Sequence, residues 1–205
     1  MDDAHHEDSS STTRKRPKPG ERRIQILQTL AAMLEAPGAE RITTAALAAK
    51  LEVSEAALYR HFASKAQMFE GLIEFIEQSL FTLINQISAR EGEGTQKAKQ
   101  ILTVILQFTE KNQGLARVMV GDALVFENER LQQRMNQLFE RIESSLRQVL
   151  KEAATQHQST TPTVDANVLS SVLICFTQGR LQRFVRSGFK RSAIEQLDAS
   201  LSVLM

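Results

Sequence analysis

Residues 43–62, TTAALAAKLEVSEAALYRHF, hold two short helical patterns joined by a tight break, and their reading decides the fold. Thr43 or Thr44 can cap the first helix, in which Leu47, Ala48 and Leu51 fall on one face at helical spacing. Glu52-Val53 forms the turn, and Ser54 caps a second helix. Leu58 and Phe62 face inward there, which leaves Glu55, Ala56, Tyr59 and Arg60 pointing outward. A helix entering the major groove needs small residues at its N-terminus for close approach, then hydroxyl and cationic groups for phosphates and base edges. This outward face has that composition, and the chain's only Tyr lies on it.

A new helix begins two residues after Phe62. Ser64-Lys65-Ala66-Gln67 reads as a capping box, with Lys65 in the first turn. Free N–H groups at a helix start bind phosphate, whereas the helix dipole disfavours a cation there, so a lysine at that end points to an anion nearby. His61 falls in the same region. Thr43, Thr44, Ser54, Glu55, Ala56, Tyr59, Arg60, His61 and Lys65 are therefore the expected DNA-contacting set.

The run RITTAALAAKLEVSEAALYRHFASKAQMFEGLIEFIEQSL, residues 41–80, resembles the DNA-binding domain of TetR-type regulators. In that family a capped three-helix unit ending in YRHF is followed by SK at the next helix. The segments LIEFIE, LVFENERLQQRMNQLFERIESSLRQVL and RFVRSGFKR are similar to one branch of it, the nucleoid occlusion factors, and the resemblance extends from Arg22 to about Arg191. It implies an all-α, TetR-like chain that forms a homodimer by pairing its last two helices with their copies as a four-helix bundle. It further implies binding to double-stranded DNA at palindromic sites scattered over the chromosome, and antagonism of polymers of the tubulin-like division protein FtsZ while bound. One residue departs from the family pattern: Glu52 stands where glycine is usual. A left-handed backbone there costs a Cβ-bearing residue on the order of 1 kcal/mol, which a folded domain absorbs.

The 205 residues suffice for a substantial core, and the hydrophobic content of 42% is ordinary for a soluble protein. The net charge of +1 conceals an asymmetry. Residues 14–65 carry ten Lys/Arg against five Asp/Glu, residues 2–8 carry only acidic charge, and the remainder is balanced. Positive charge is thus concentrated at the reader, which predicts salt-sensitive binding. The acidic MDDAHHED is unlike a signal peptide, and no apolar run reaches the length of a membrane span. The single cysteine, Cys175 in the run VLICF, permits no intrachain disulfide and reads as a small buried hydrophobe. Together these features predict a cytoplasmic protein, and the resemblance implies that it is associated with the nucleoid.

Residues 1–20 end in RKRPKPG and show no periodicity, so they are expected to form a disordered basic arm in which Arg14, Lys15, Arg16 and Lys18 can follow the DNA backbone. Residues 21–66 form the helix-turn-helix domain, with Ile24, Leu27, Leu30 and Leu34 marking a first helix stopped at Pro37-Gly38. Residues 67–205 form a helical dimerisation and partner-binding body. The helix from Lys65 carries Phe69, Leu72, Ile73, Ile76, Leu80, Leu83, Ile84 and Ile87 on one stripe and is shared between reader and body. Thr95 is expected to cap the next helix, which buries Ile101, Leu102, Ile105, Leu106 and Phe108 and breaks at Asn112-Gln113-Gly114. A long polar helix from about Glu127 to about Gln156 follows, then one carrying Leu169, Val172, Leu173, Phe176, Leu181 and Phe184, and a short one ending in LSVLM.

Catalytic and metal motifs are not found: there is no HExxH, CxxC, Walker loop or GxSxG, and none of His5, His6, His61 and His157 has metal-ligand company. The expectation is no enzyme, no metal and no cofactor. Few polar groups converge in the body, so no large apolar ligand pocket is expected; a repressor released from its operator by a small apolar ligand is the alternative, and an adaptor acting through its long helix is a further one. Arg180, Arg183, Arg186, Lys190 and Arg191 make a basic stripe that reads either as a salt-bridged, solvated face or as a seat for an acidic partner. Phe75 lies roughly 120° from the centre of its helix's apolar stripe and should be partly exposed. With Lys111 and Asn112 at the adjoining helix end, it is the expected FtsZ-binding surface, since an exposed aromatic is the kind of anchor interfaces use.

Overall fold

The computed structural model describes residues 20–36 and 42–205, and among them there is no strand. The arm expected at 1–20, apart from Gly20, and the stop at Pro37-Gly38 lie outside the described residues. The helices are α1 (Glu21–Glu35), α2 (Thr44–Lys50), α3 (Glu55–Tyr59), α4 (Lys65–Ser88), α5 (Gly94–Lys111), α6 (Gln113–Met119), α7 (Glu129–Gln156), α8 (Pro162–Arg186) and α9 (Leu197–Leu204), with a single 3-10 turn at Asp122–Leu124 between α6 and α7.

Among the described residues one continuous core runs from Ile26 of α1 to Leu201 of α9. Ile26, Leu30 and Leu34 of α1 close over Leu47 and Leu58 of the reader and over Phe62, all buried. Met68 and Phe69 at the start of α4 belong to the same cluster, and Ile76, Leu80 and Ile84 carry it into the body against α5 and α7. The α7–α8 hairpin forms the largest helix contact, through Leu138, Ile142, Leu146 and Val149 on one side and Leu173 and Leu181 on the other. Burial of so many Leu and Ile side chains, about 1.5–3 kcal/mol each, holds this layer together.

Two glycines set how closely helices approach. A Cβ on Gly114 of α6 would stand 2.0 Å from the Ala31 carbonyl oxygen of α1, and one on Gly94 would stand 2.0 Å from the Val149 oxygen of α7. The first of these seats the reader's own helix on the body. Reader and body are thus joined along α4 and at the α1–α6 crossing, among other places.

Several local expectations are corrected. Gly114 is inside α6 rather than in a break: Asn112 alone leaves helical geometry, at φ −133° and ψ 66°, and α6 starts at once. Glu93, not Thr95, caps α5, because its carboxylate accepts from the Thr95 backbone N–H at 3.2 Å. The Thr95 hydroxyl donates to the same carboxylate and, with His157 beyond it, holds Glu93 below the usual carboxylate range. Leu83 and Val172 are exposed, and Phe108 is only half-buried.

Cys175 is also exposed rather than buried. On α8 it shares a face with Val164, Val168 and Val172, all of them exposed, so the apolar stripe of that helix is two-sided and one side is uncovered in the single chain. The basic stripe divides as well. Arg180 is buried and donates to the carbonyls of Ala193 and Glu195 at 2.8 Å and to the Ser200 hydroxyl at 2.9 Å, bracing the segment that leads into α9. Burial, and then the neighbouring Arg183, hold its guanidinium below the ordinary arginine value. Arg183 lies 3.9 Å from Glu195, while Arg186, Lys190 and Arg191 are not buried.

Candidate nucleic-acid interface

The reader is built from its caps. The Thr43 hydroxyl accepts from the Ala46 N–H at 3.1 Å and Ser54 from the Ala57 N–H at 3.3 Å, so each short helix has a satisfied start. Capping by Thr43 leaves Thr44 available for another task. Its hydroxyl donates to the Glu55 carboxylate at 2.6 Å, and the Tyr59 hydroxyl lies 3.5 Å away. Thr44, Glu55 and Tyr59 therefore form one cluster that ties α2 to α3 and fixes the angle of the second helix.

Between the helices Glu52 adopts φ 55°, the left-handed geometry expected at that turn. Ser54, Glu55, Ala56, Tyr59, Arg60 and His61 are all exposed, with Thr43 beside them. Ala56 adds only a methyl group to this face, and the side chains of Arg60 and His61 make no hydrogen bond or ion pair with a described residue. Arg23 of α1 was not singled out by sequence reasoning. Its guanidinium donates to the His61 carbonyl at 2.7 Å and lies 4.1 Å from the centre of the Phe62 ring, clamping the end of α3. Nothing in a pattern of apolar spacing distinguishes this arginine from its exposed neighbours.

The start of α4 forms as expected, with one difference. Ser64 accepts from the Gln67 N–H at 3.2 Å, and Gln67 accepts in return from Ala63 at 2.8 Å, one residue earlier than in the usual capping box. Lys65 does not project as an unpaired charge. It bonds the carboxylate of Glu127, ahead of α7, and sits over the Phe69 ring at 5.6 Å.

The residues of the second expected surface lie further along α4 and at the end of α5. Phe75 is 50% exposed, and its ring meets that of Phe108 on α5 at 6.4 Å between centres. Asn112 donates to the Phe108 carbonyl at 2.7 Å, and Lys111 is exposed beside it. Phe75 and Asn112, 37 residues apart, thus share Phe108 as a common support.

Elsewhere, a cleft of about 260 Å³ among α6, α7 and α8 is lined by the amides of Gln132, Asn136, Gln178 and Gln182 as well as by Met119, Met135 and Phe139. Among the described residues no helix is long and apolar enough to cross a membrane, and no three His, Cys, Asp or Glu side chains converge as a metal site.

Comparison with known proteins agrees with this geometry. Residues 26–72 match the family of bacterial regulatory proteins of the tetR type, and residues 93–205 match the tetracyclin repressor-like C-terminal domain of the SlmA-like group. The chain is 52% identical over 177 residues to the nucleoid occlusion factor SlmA of Alteromonas mediterranea, covering 86% of this chain and 90% of that one. It is 55% identical over 170 residues to SlmA of Vibrio cholerae, covering 82% and 86%. Its fold resembles that of the TetR family transcriptional regulator PfmR from Thermus thermophilus, with a TM-score of 0.72 at 19% identity over 88% of this chain and 96% of that one.

Proposed function

The chain belongs to the TetR family, in the branch of the SlmA nucleoid occlusion factors, and on that premise we propose that it binds dispersed palindromic chromosomal sites as a homodimer and, while bound, inhibits FtsZ assembly and septum formation over the nucleoid. The observation that carries this reading is identity above 50% to nucleoid occlusion factors across both the reader and the body. A chain alike only in its reader would support DNA binding alone.

The roles divide by surface. Thr43, Thr44, Ser54, Glu55, Ala56, Tyr59, Arg60 and His61 form the contact face, with Ala56 and Thr44 at the base edges and Arg60 on phosphate. Phe75, Lys111 and Asn112 engage FtsZ: the ring is the apolar anchor, and the lysine suits an acidic segment of the partner. The two sets share no residue: the first ends ahead of α4, and the second lies within α4 and at the end of α5. Such a protein works in the cytoplasm, on the nucleoid.

The test is sedimentation of FtsZ polymers with GTP in the presence of this protein and a duplex bearing its palindromic site. Pelleted FtsZ should fall severalfold with the site duplex and much less with a scrambled one. Equal pellets with both duplexes, under conditions where the site duplex is saturated, would remove the occlusion reading and leave a DNA-binding regulator.

A further inference from the structure

Three ion pairs lace α4 to the start of α7, and one of them runs backwards. Glu70 pairs with Arg130, and Glu77 accepts from Arg134 at 2.6 Å, so in both α4 supplies the carboxylate and α7 the cation. At the reader end the order inverts: Lys65 of α4 bonds Glu127, on the segment leading into α7. The Glu127 side chain is only 9% exposed, and that of Lys65 26%. Joining the two helices would be served as well by the polarity of the other two pairs. The inverted pair instead places a carboxylate against a lysine five residues beyond Arg60, at the edge of the contact face.

A pair so placed stays closed, because withdrawing the ammonium would strand a nearly buried carboxylate, one of the costlier single changes in a folded protein. Its net charge at the DNA edge is therefore zero. Sequence-independent affinity for DNA comes from cations that displace counterions from phosphates, and each one adds about one unit to the salt slope. Discrimination is the ratio of specific to non-specific binding, so a charge removed from the backbone term raises the ratio without touching a base.

Resting on the DNA-binding reading above, we propose that Glu127 is a specificity-determining residue that acts through Lys65, cancelling its charge beside the backbone and lowering affinity for DNA of any sequence. The test is fluorescence anisotropy of a random-sequence duplex across a salt series, for the wild type, E127Q, K65A and the double variant. Gln keeps an oxygen that accepts from Lys65, so E127Q retains the contact and loses only the charge. It should bind about fivefold more tightly near 0.15 M salt, with a log–log slope steeper by about one.

K65A should bind more weakly, with a flatter slope. The double variant restores local neutrality and should share the wild-type slope, and since it leaves no buried charge it carries the test independently of the stability of E127Q. Two results overturn the proposal: an E127Q slope no steeper than wild type, or a double variant one unit flatter than wild type, which makes Lys65 an independent phosphate contact. Failure of the underlying reading looks different, since the wild type then shows no salt-dependent binding to any duplex.

Discussion

Phe75→Ala is expected to abolish inhibition of FtsZ assembly while leaving affinity for site DNA within about twofold. A half-exposed Phe ring held in place by Phe108 is pre-ordered, so it presents apolar area without first losing side-chain freedom. Anchors of this kind cost about 2 kcal/mol or more when truncated, roughly thirtyfold in affinity. The ring lies off the buried stripe of α4, where Phe69, Ile73 and Ile76 remain to hold the helix, so the fold and the reader should survive its loss. Paired assays decide the matter: anisotropy with site DNA, and FtsZ sedimentation at saturating DNA. Retained inhibition discards this surface, whereas loss of both activities points to a damaged fold.

Val168→Asp should convert the protein to a monomer of 23.0 kDa and reduce affinity for a palindrome by about a hundredfold or more. Val168 is 61% exposed in the middle of an α8 face that also shows Val164, Val172 and Cys175. Such a contiguous apolar face on the last long helix is what a second copy would cover. A charge there costs the single chain little, since the site is already wet, but it would bury an unpaired carboxylate between two copies. Light scattering gives the mass and footprinting the occupancy. A variant that remains a dimer with full palindrome affinity removes α8 from the interface.

What could be read before the structure followed from local chemistry. The caps at Thr43, Ser54 and Ser64, the buried pair Leu58 and Phe62, and the outward position of Phe75 each depend on periodicity or on a hydroxyl two or three residues from an N–H, and these are written along the chain. Glu52 in the left-handed region was legible as a departure from the usual glycine.

Features that join distant segments were not legible. Lys65 and Glu127 are 62 residues apart, and nothing in either neighbourhood marks the other as its partner. Arg180 looked like one member of a solvated stripe, yet its guanidinium is consumed by carbonyls of the chain's own C-terminal segment. Gly114 resembled a helix breaker because glycine usually is one, and only the approach of Ala31 explains it as a packing residue. Cys175 and Val172 have the hydrophobicity of core residues but face outward from a single chain, and periodicity cannot separate a core from an interface.

As an occlusion factor, this chain would mark the chromosome at many places instead of controlling a gene or two. Genome-wide mapping of its bound sites in the bacterium that carries it tests this most directly. Numerous palindromic sites dispersed over the nucleoid, most of them away from promoters, are expected; occupancy confined to one site beside the protein's own gene would sink the occlusion reading and make the chain a local repressor.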